Sequence, residues 1–155
     1  MTSMGDPKYK FLFVVTYGRS GSTLLQGVLN SFDGYCIRGE NSNMLAAIFR
    51  LWRECHNLHE QFGSAPTGAI DSWFGADLIG SDSFANDMIA AFKRHVLNPP
   101  EWARVIGFKE IRYTPDFFKF GEFGKYFDFI NEWFPQSAFI FNSRKLSDVI
   151  QSGWW

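Results

Sequence analysis

The chain has 155 residues, a length that suits one domain with a sizeable core. Hydrophobic residues make up 46% of the sequence and aromatic residues 19%, which excludes a disordered chain. The formal net charge of −1 does not favour a general nucleic-acid or anionic-membrane surface. We expect neither a membrane span of roughly 20 apolar residues nor a secretory signal. Because the only cysteines are Cys36 and Cys55, we expect no disulfide framework and a reduced, cytoplasmic setting.

Short apolar runs alternate with helical patterns along the chain. The runs at 11–16, 35–38, 104–109 and 138–142 predict strands. A first helix is predicted to begin in the loop after the first strand, and a second to span about 44–62. A third is predicted from about 81 to Asn98-Pro99-Pro100, a fourth at about 125–134, and another beginning at 148. This order predicts an α/β fold in which helices flank a parallel sheet.

Side chains at helical spacing are expected to face the core. In the first helix these are Leu24, Leu25, Val28 and Leu29, and the apolar face of the second helix includes His59. The glycine-rich segment 63–80 predicts a long irregular loop. Its Trp73 has two interpretations, because the ring could stack on a sugar acceptor or anchor the loop to the core.

The first predicted strand runs into a loop rich in glycine, serine and arginine, made up of Gly18, Arg19, Ser20, Gly21, Ser22 and Thr23. Glycines let the backbone close around an oxyanion, and N–H groups at a helix start point towards it. The pattern therefore predicts an anion-binding loop, and the alternative is a strand-to-helix turn without a ligand. A nucleoside triphosphatase loop would have lysine at position 22 and glycine at position 16, so ATP or GTP hydrolysis and a small-molecule kinase are disfavoured.

A second anion-binding pair lies near the end of the chain. Arg144 follows the fourth predicted strand, and Ser152 stands eight residues later. A guanidinium group can bind a phosphate in a forked manner, and a hydroxyl can donate to the same group. Together with the loop at 18–23, this pair resembles the sulfotransferase family, whose sulfuryl donor is 3′-phosphoadenosine 5′-phosphosulfate (PAPS).

The resemblance implies a three-layer fold of the P-loop nucleoside triphosphate hydrolase type. It implies that the loop holds the 5′-phosphosulfate, and that Arg144 and Ser152 hold the 3′-phosphate. The form of the loop is most similar to carbohydrate-type and bacterial sulfotransferases. The expected activity is therefore sulfuryl transfer from PAPS to a hydroxyl of a small-molecule or glycan acceptor, without a metal.

Charged residues near the ends of predicted strands are the candidates for catalysis. Lys109 is expected to neutralise charge on the transferring group, as a lysine does in the family, or else to be a solvated residue at a strand end. Arg19 contributes positive charge from the loop. The resemblance makes Glu40 the first choice for the base that accepts the acceptor's proton, and Glu110 the second. The alternative for Glu40 is that it caps the next helix.

Cys55, His56 and His59 share one helix, but no fourth donor stands at a recognisable spacing, so no metal site is expected.

We expect one sulfotransferase-like domain over 1–155 that lacks its C-terminal part. The alternative function is a truncated, inactive relative that binds a nucleotide bisphosphate. The end of the sequence after two tryptophans also favours a partner, such as a second copy of the chain, that covers the exposed edge.

Overall fold

A single parallel sheet organises the protein. The computed structural model describes residues 10–64, 68–119 and 121–152. Within these ranges the sheet has four strands in the order β2-β3-β1-β4. They are β1 (Lys10–Val15), β2 (Tyr35–Arg38), β3 (Val105–Glu110) and β4 (Ser137–Phe141). The predicted α/β fold with a parallel sheet is confirmed; β2 has the predicted bounds, and the other strands are shifted by one residue.

Helices connect these strands. They are α1 (Ser22–Asn30), α2 (Met44–Phe62), α3 (Ser81–Phe92), α4 (Glu122–Trp133) and α5 (Leu146–Ser152). The bounds of α2 are the predicted ones, whereas α4 begins three residues earlier than expected. A π-helical turn, Lys93–Leu97, extends α3 until Asn98 takes a left-handed conformation with φ of 38°. The predicted stop before the two prolines is therefore confirmed. None of the helices in the described ranges has the length and apolar character needed to span a membrane.

The register of the sheet brings the ends of its strands to one edge. β1 lies in the centre and pairs with β3 on one side and β4 on the other. Beyond the last strand residues, the N–H of Thr16 donates to the carbonyl of Glu110 at 3.2 Å, and the N–H of Asn142 donates to the carbonyl of Val15 at 3.0 Å. The segments that follow β1, β3 and β4 therefore start side by side. Ligands of open parallel sheets bind at this carboxyl edge.

The two faces of β1 bury different cores, because successive side chains of a strand point to opposite faces. Phe11 and Phe13 face an aromatic core formed with α2, α3 and α4, and the ring of Phe134 packs edge-on against both, with centroids 5.1 and 5.4 Å away. Leu12 and Val14 face a smaller core that includes Leu29 of α1. The sheet thus lies between α1 on one face and α2, α3 and α4 on the other.

A close approach between two strands explains Gly107. A Cβ atom built on this residue of β3 would lie 1.7 Å from the backbone oxygen of Leu12 in β1. Any larger residue would push the two central strands apart. Because β1 leads into the loop at 18–23, the close approach at Gly107 also helps to set the position of that loop.

The predicted orientation of α1 is wrong for two residues. Leu24 is 76% exposed and Val28 is 48% exposed, whereas Leu29 is buried. The helix instead turns Ser22, Leu25 and Leu29 towards the sheet, at spacings of three and four residues. His59 is likewise exposed rather than inward-facing.

Candidate donor cavity and charged cluster

The loop between β1 and α1 is held in an unusual backbone conformation. Arg19 has φ of 64° and Gly21 has φ of 85°. Glycine adopts this region freely, whereas arginine rarely does, and such residues concentrate at ligand-binding sites. Directly after the loop, the N–H groups of Leu24 and Leu25 donate to the carbonyl of Gly21. Since α1 begins at Ser22, the first N–H groups of the helix face the loop without helical partners.

Hydrogen bonds inside the loop tie it to the sheet. The Thr16 hydroxyl donates to the carbonyl of Asn142 at 2.7 Å, so the Ser20 hydroxyl, 2.7 Å from Thr16 Oγ1, is the donor in that contact. The Asn142 amide in turn donates to the carbonyl of Ser20 at 3.2 Å. Ser20 is buried and its side chain therefore stabilises the loop from inside.

A cavity of about 280 Å³ lies beside the loop and is lined by Arg19, Gly21, Ser22, Thr23, Arg144 and Ser152. The structure thus brings together six of the residues that the sequence predicts for donor binding, although Arg19 and Arg144 are 125 residues apart. Gly18 belongs to the same loop but does not line the cavity, and neither does Ser20.

Contacts across the cavity join the loop to the segment after β4. The hydroxyl of Tyr17 accepts from the N–H of Arg144 and donates to the carbonyl of the same residue, both at 2.7 Å. The guanidinium of Arg19 donates to the carbonyl of Ser152 in α5. The Ser152 hydroxyl donates to the carbonyl of Val149 at 2.9 Å, so it must turn to donate to a ligand.

The cavity suits an anion. It places two guanidinium groups, hydroxyls and the start of a helix around one space, and no carboxylate is among the described residues that line it. Guanidinium groups are always charged and bind phosphate-like groups through two parallel hydrogen bonds. The positive end of the α1 dipole adds to the attraction.

A second group of charges lies at the ends of β2 and β3. The ammonium of Lys109 is 2.6 Å from one carboxylate oxygen of Glu40, and Arg112 Nη1 is 3.1 Å from the other. Lys109 is only 5% exposed, so it is not a solvated residue at a strand end. The structure thus brings the predicted catalytic residues Glu40 and Lys109 together. Within the described ranges, no hydrogen bond or ion pair joins them to the residues that line the donor cavity.

Glu110 has a different environment from Glu40. Its side chain is fully buried and accepts hydrogen bonds from the backbone N–H groups of four residues, which are Asn41, Asn43, Ile111 and Arg112. Burial alone would raise the pKa of this carboxyl, but the four hydrogen bonds outweigh burial and hold its pKa below the ordinary value. A carboxylate held in this way is unsuited to accept a proton, which argues against Glu110 as the base. Glu110, and not Glu40, is the acid that caps the segment leading into α2.

Three residues of the site were not identified from the sequence: Tyr17, Asn142 and Arg112. Each lies within two residues of the end of a strand, at the edge where ligands of parallel sheets bind, and that position is the signal that could have found them. Arg112 contacts both Glu40 and Glu110, at 3.1 and 3.2 Å.

The ring of Trp73 stacks on Phe62 at the end of α2, with centroids 3.9 Å apart, which agrees with the interpretation that it anchors its loop.

In the part of the chain that the structure describes, histidines, cysteines and carboxylates form no group of three or more that could hold a metal ion.

The structure is thus an α/β protein in which the loop after the central strand and a cavity lined by two guanidinium groups lie at the start of a helix. The model of the sulfotransferase family matches residues 12–154. The chain therefore belongs to the sulfotransferase family, as its two motifs predict. No sequence among curated proteins matches the chain.

Proposed function

We propose that this protein transfers a sulfuryl group from PAPS to a hydroxyl group of an acceptor. The observation that carries the proposal is the cavity in which the loop and the segment after β4 meet. Its two guanidinium groups, from Arg19 in the loop and Arg144 after β4, can each bind one anionic group of a donor that carries two. Membership of the sulfotransferase family supports the same chemistry.

In this proposal the donor binds across the cavity. Arg19 and the N–H groups and hydroxyls of Ser22 and Thr23 hold the 5′-phosphosulfate, and Gly18 and Gly21 let the backbone approach it. Arg144 and Ser152, which line the same cavity, hold the 3′-phosphate. Ser20 acts indirectly by fixing the loop to Thr16. When bound, PAPS supplies a sulfur–oxygen bond whose cleavage releases adenosine 3′,5′-bisphosphate.

The charged cluster supplies the remaining roles. The acceptor's hydroxyl oxygen bonds to sulfur while the bond from sulfur to the 5′-phosphate oxygen breaks, and the hydroxyl proton passes to Glu40. Lys109 stabilises the negative charge that develops on the departing oxygen. Arg112 keeps Glu40 in position when Lys109 turns to the donor, because it contacts the second carboxylate oxygen at 3.1 Å.

Titration calorimetry with adenosine 3′,5′-bisphosphate tests the donor site. The Arg144→Ala variant should bind it at least about tenfold more weakly, because a charge-assisted contact is lost. The matched control is Lys145→Ala, which removes the same charge from the exposed neighbouring residue outside the cavity and should bind nearly as tightly as the wild type.

Adenosine 5′-phosphate, which lacks the 3′-phosphate, adds a second control. The wild type should prefer the bisphosphate, and Arg144→Ala should lose that preference. Tight binding of ATP without binding of the bisphosphate would overturn the proposal. Transfer of radiolabelled sulfuryl groups to an alcohol distinguishes an enzyme from a relative that only binds nucleotide.

A further inference from the structure

An apolar groove lies between α2 and the end of α3, away from the donor cavity. It encloses about 330 Å³, and its walls include Met44, Ile48, Leu51, Met88, Ala91 and Val96. Among the described residues that line it, His95 alone carries a polar side chain. Met44 and Leu51 are 42% and 49% exposed, so apolar surface faces the solvent here. Two methionines give the groove a flexible, polarisable lining that adapts to varied apolar shapes.

Both walls of the groove are fixed to the edge of the sheet that carries the charged cluster. The first turn of α2 is held there because the N–H groups of Asn41 and Asn43 donate to Glu110 at 3.2 and 2.8 Å. The end of the α3 wall is held by Arg38, the last residue of β2, whose guanidinium donates to the carbonyls of Leu97 and Asn98 at 2.9 and 2.6 Å. The position of the groove relative to the cluster is therefore set by hydrogen bonds at both sides.

The near end of the groove is close to Glu40. The N–H of Met44 donates to the carbonyl of Asn41 at 3.3 Å, so residues 41–44 form a turn whose end Cα atoms lie within about 7 Å. Adding one Cα–Cα step of about 3.8 Å puts the Cα of Met44 within about 11 Å of the Cα of Glu40. An extended molecule can therefore have one end in the groove and the other at the Glu40 carboxylate.

We infer that this groove binds the acceptor, and that the acceptor is an amphiphile: a hydroxyl-bearing head group with an aliphatic tail. The inference rests on the proposed function, since it takes Glu40 to be the group that receives the acceptor's proton. The hydroxyl lies at Glu40 and the tail lies along α2 towards Leu51. Between Met44 and Leu51 the helix rises about 10 Å, which corresponds to about eight carbons, because C–C bonds of about 1.5 Å at tetrahedral angles advance an extended chain by about 1.3 Å per carbon.

Alkyl β-D-glucosides with tails from methyl to dodecyl test this inference, because all of them present the same sugar hydroxyls. Their affinities are measured by calorimetry with adenosine 3′,5′-bisphosphate bound, below the concentration at which each forms micelles. A fully buried methylene would raise the affinity about fourfold. In an open groove that covers half of the tail, the gain is about twofold per methylene. Affinity should therefore rise about twofold per carbon and level off near eight carbons.

Two matched variants locate the tail. Ala91→Phe fills the groove and should reduce the ratio of the affinities for octyl and methyl glucoside at least tenfold. Ala90→Phe adds the same ring to the exposed neighbouring residue, which does not line the groove, and should leave the preference unchanged. Leu51→Gln, at a half-exposed position, should weaken octyl binding without disturbing the fold.

The outcomes separate this inference from the proposed function. If the bisphosphate binds but glucoside affinity or sulfuryl transfer is independent of tail length, the groove does not hold the acceptor and the donor assignment stands. The same conclusion follows if Ala90→Phe and Ala91→Phe behave alike. If the bisphosphate does not bind at all, the proposed function fails, and the acceptor assignment fails with it.

Discussion

Glu110 accepts hydrogen bonds from four backbone N–H groups and also lies 3.2 Å from Arg112 Nη1. Replacing it by glutamine places an NH₂ group against backbone donors and leaves at least two of them without an acceptor. We expect Glu110→Gln to lower the free energy of unfolding by about 3 kcal/mol at neutral pH. Urea unfolding measures the change. Glu101→Gln, at an exposed position, is the control and should have little effect.

The same substitution should change how stability depends on pH. The folded-state pKa of Glu110 is depressed, so its contribution is present above the unfolded-state pKa, about 4.3, and is lost as the pH falls through the folded-state value. The wild type should therefore lose more stability than Glu110→Gln between neutral pH and about pH 3. Parallel acid dependences of the two proteins would contradict the depressed pKa.

Glu40 differs from Glu110 in that side chains, rather than backbone groups, hold it. Because Glu40 is the proposed base, Glu40→Gln should lower kcat by about 10²–10⁴, since no group then receives the proton of the acceptor's hydroxyl. Affinity for adenosine 3′,5′-bisphosphate should stay within about twofold, since Glu40 does not line the donor cavity. Steady-state kinetics and calorimetry measure the two effects. An unchanged kcat would remove Glu40 from the reaction and leave it a structural role in its ion pairs with Lys109 and Arg112.

The sequence could identify the two Glu residues as candidates but could not distinguish their roles. Glu110 ends β3 and Glu40 lies two residues after β2, and both carry the same functional group. The difference arises because residues 41–43 fold back over the end of β3, which puts their N–H groups on Glu110. A contact between segments about 70 residues apart is set by the sheet order, and periodicity along the chain does not contain that information.

The bounds and the buried face of α2 were predictable apart from His59, whereas the orientation of α1 was not. The pattern in α2 has one wide apolar face, so only one rotation of the helix buries it. In α1, four apolar residues at 24, 25, 28 and 29 span two adjacent faces, and α1 packs on the sheet through one of them. The buried Ser22 determines which face packs on the sheet, because α1 begins at this residue with its first N–H groups at the cavity.

The π-helical turn after α3 also depends on a distant contact. The ammonium of Lys93 donates to the carbonyl of Trp133 at 2.8 Å and lies over the rings of Phe11 and Phe134, with centroids 5.2 and 4.7 Å away. Burial lowers the pKa of this lysine. Local propensity predicts a continuous α-helix here, and the widened turn accompanies an interaction with α4 that the local sequence does not encode.

At the scale of the whole molecule, the donor cavity depends on contacts between the beginning and the end of the chain. The order β3-β1-β4 puts the first strand in the centre, so the segments after β1 and β4 are neighbours. The two motifs indicated a shared ligand, and the strand order explains how residues 19–23 reach residues 144 and 152. A ligand whose phosphate-like groups contact both residues 19–23 and residues 144 and 152 should therefore link the beginning of the chain to its end.

Hydrogen exchange of α5 should report this bridging. With only seven residues, α5 is too short to be stable as an isolated helix, and its link to the loop includes the bond from Arg19 to the Ser152 carbonyl. Adenosine 3′,5′-bisphosphate at about a hundred times its dissociation constant stabilises the bound form by up to about 2.7 kcal/mol. Amides of residues 146–152 should therefore exchange up to about a hundredfold more slowly.

The pattern of protection distinguishes local bridging from general stabilisation. Fast-exchanging amides at the far end of α2, near Phe62, lie outside the cavity and should keep their rates. Arg144→Ala should abolish the slowing in α5, and Lys145→Ala should retain it, because Arg144 lines the cavity and Lys145 does not. Equal slowing of the amides near Phe62 and in α5 would mean that the ligand raises global stability without joining the two ends. Slowing confined to residues 19–23 would mean that the 3′-phosphate is not held by the segment after β4.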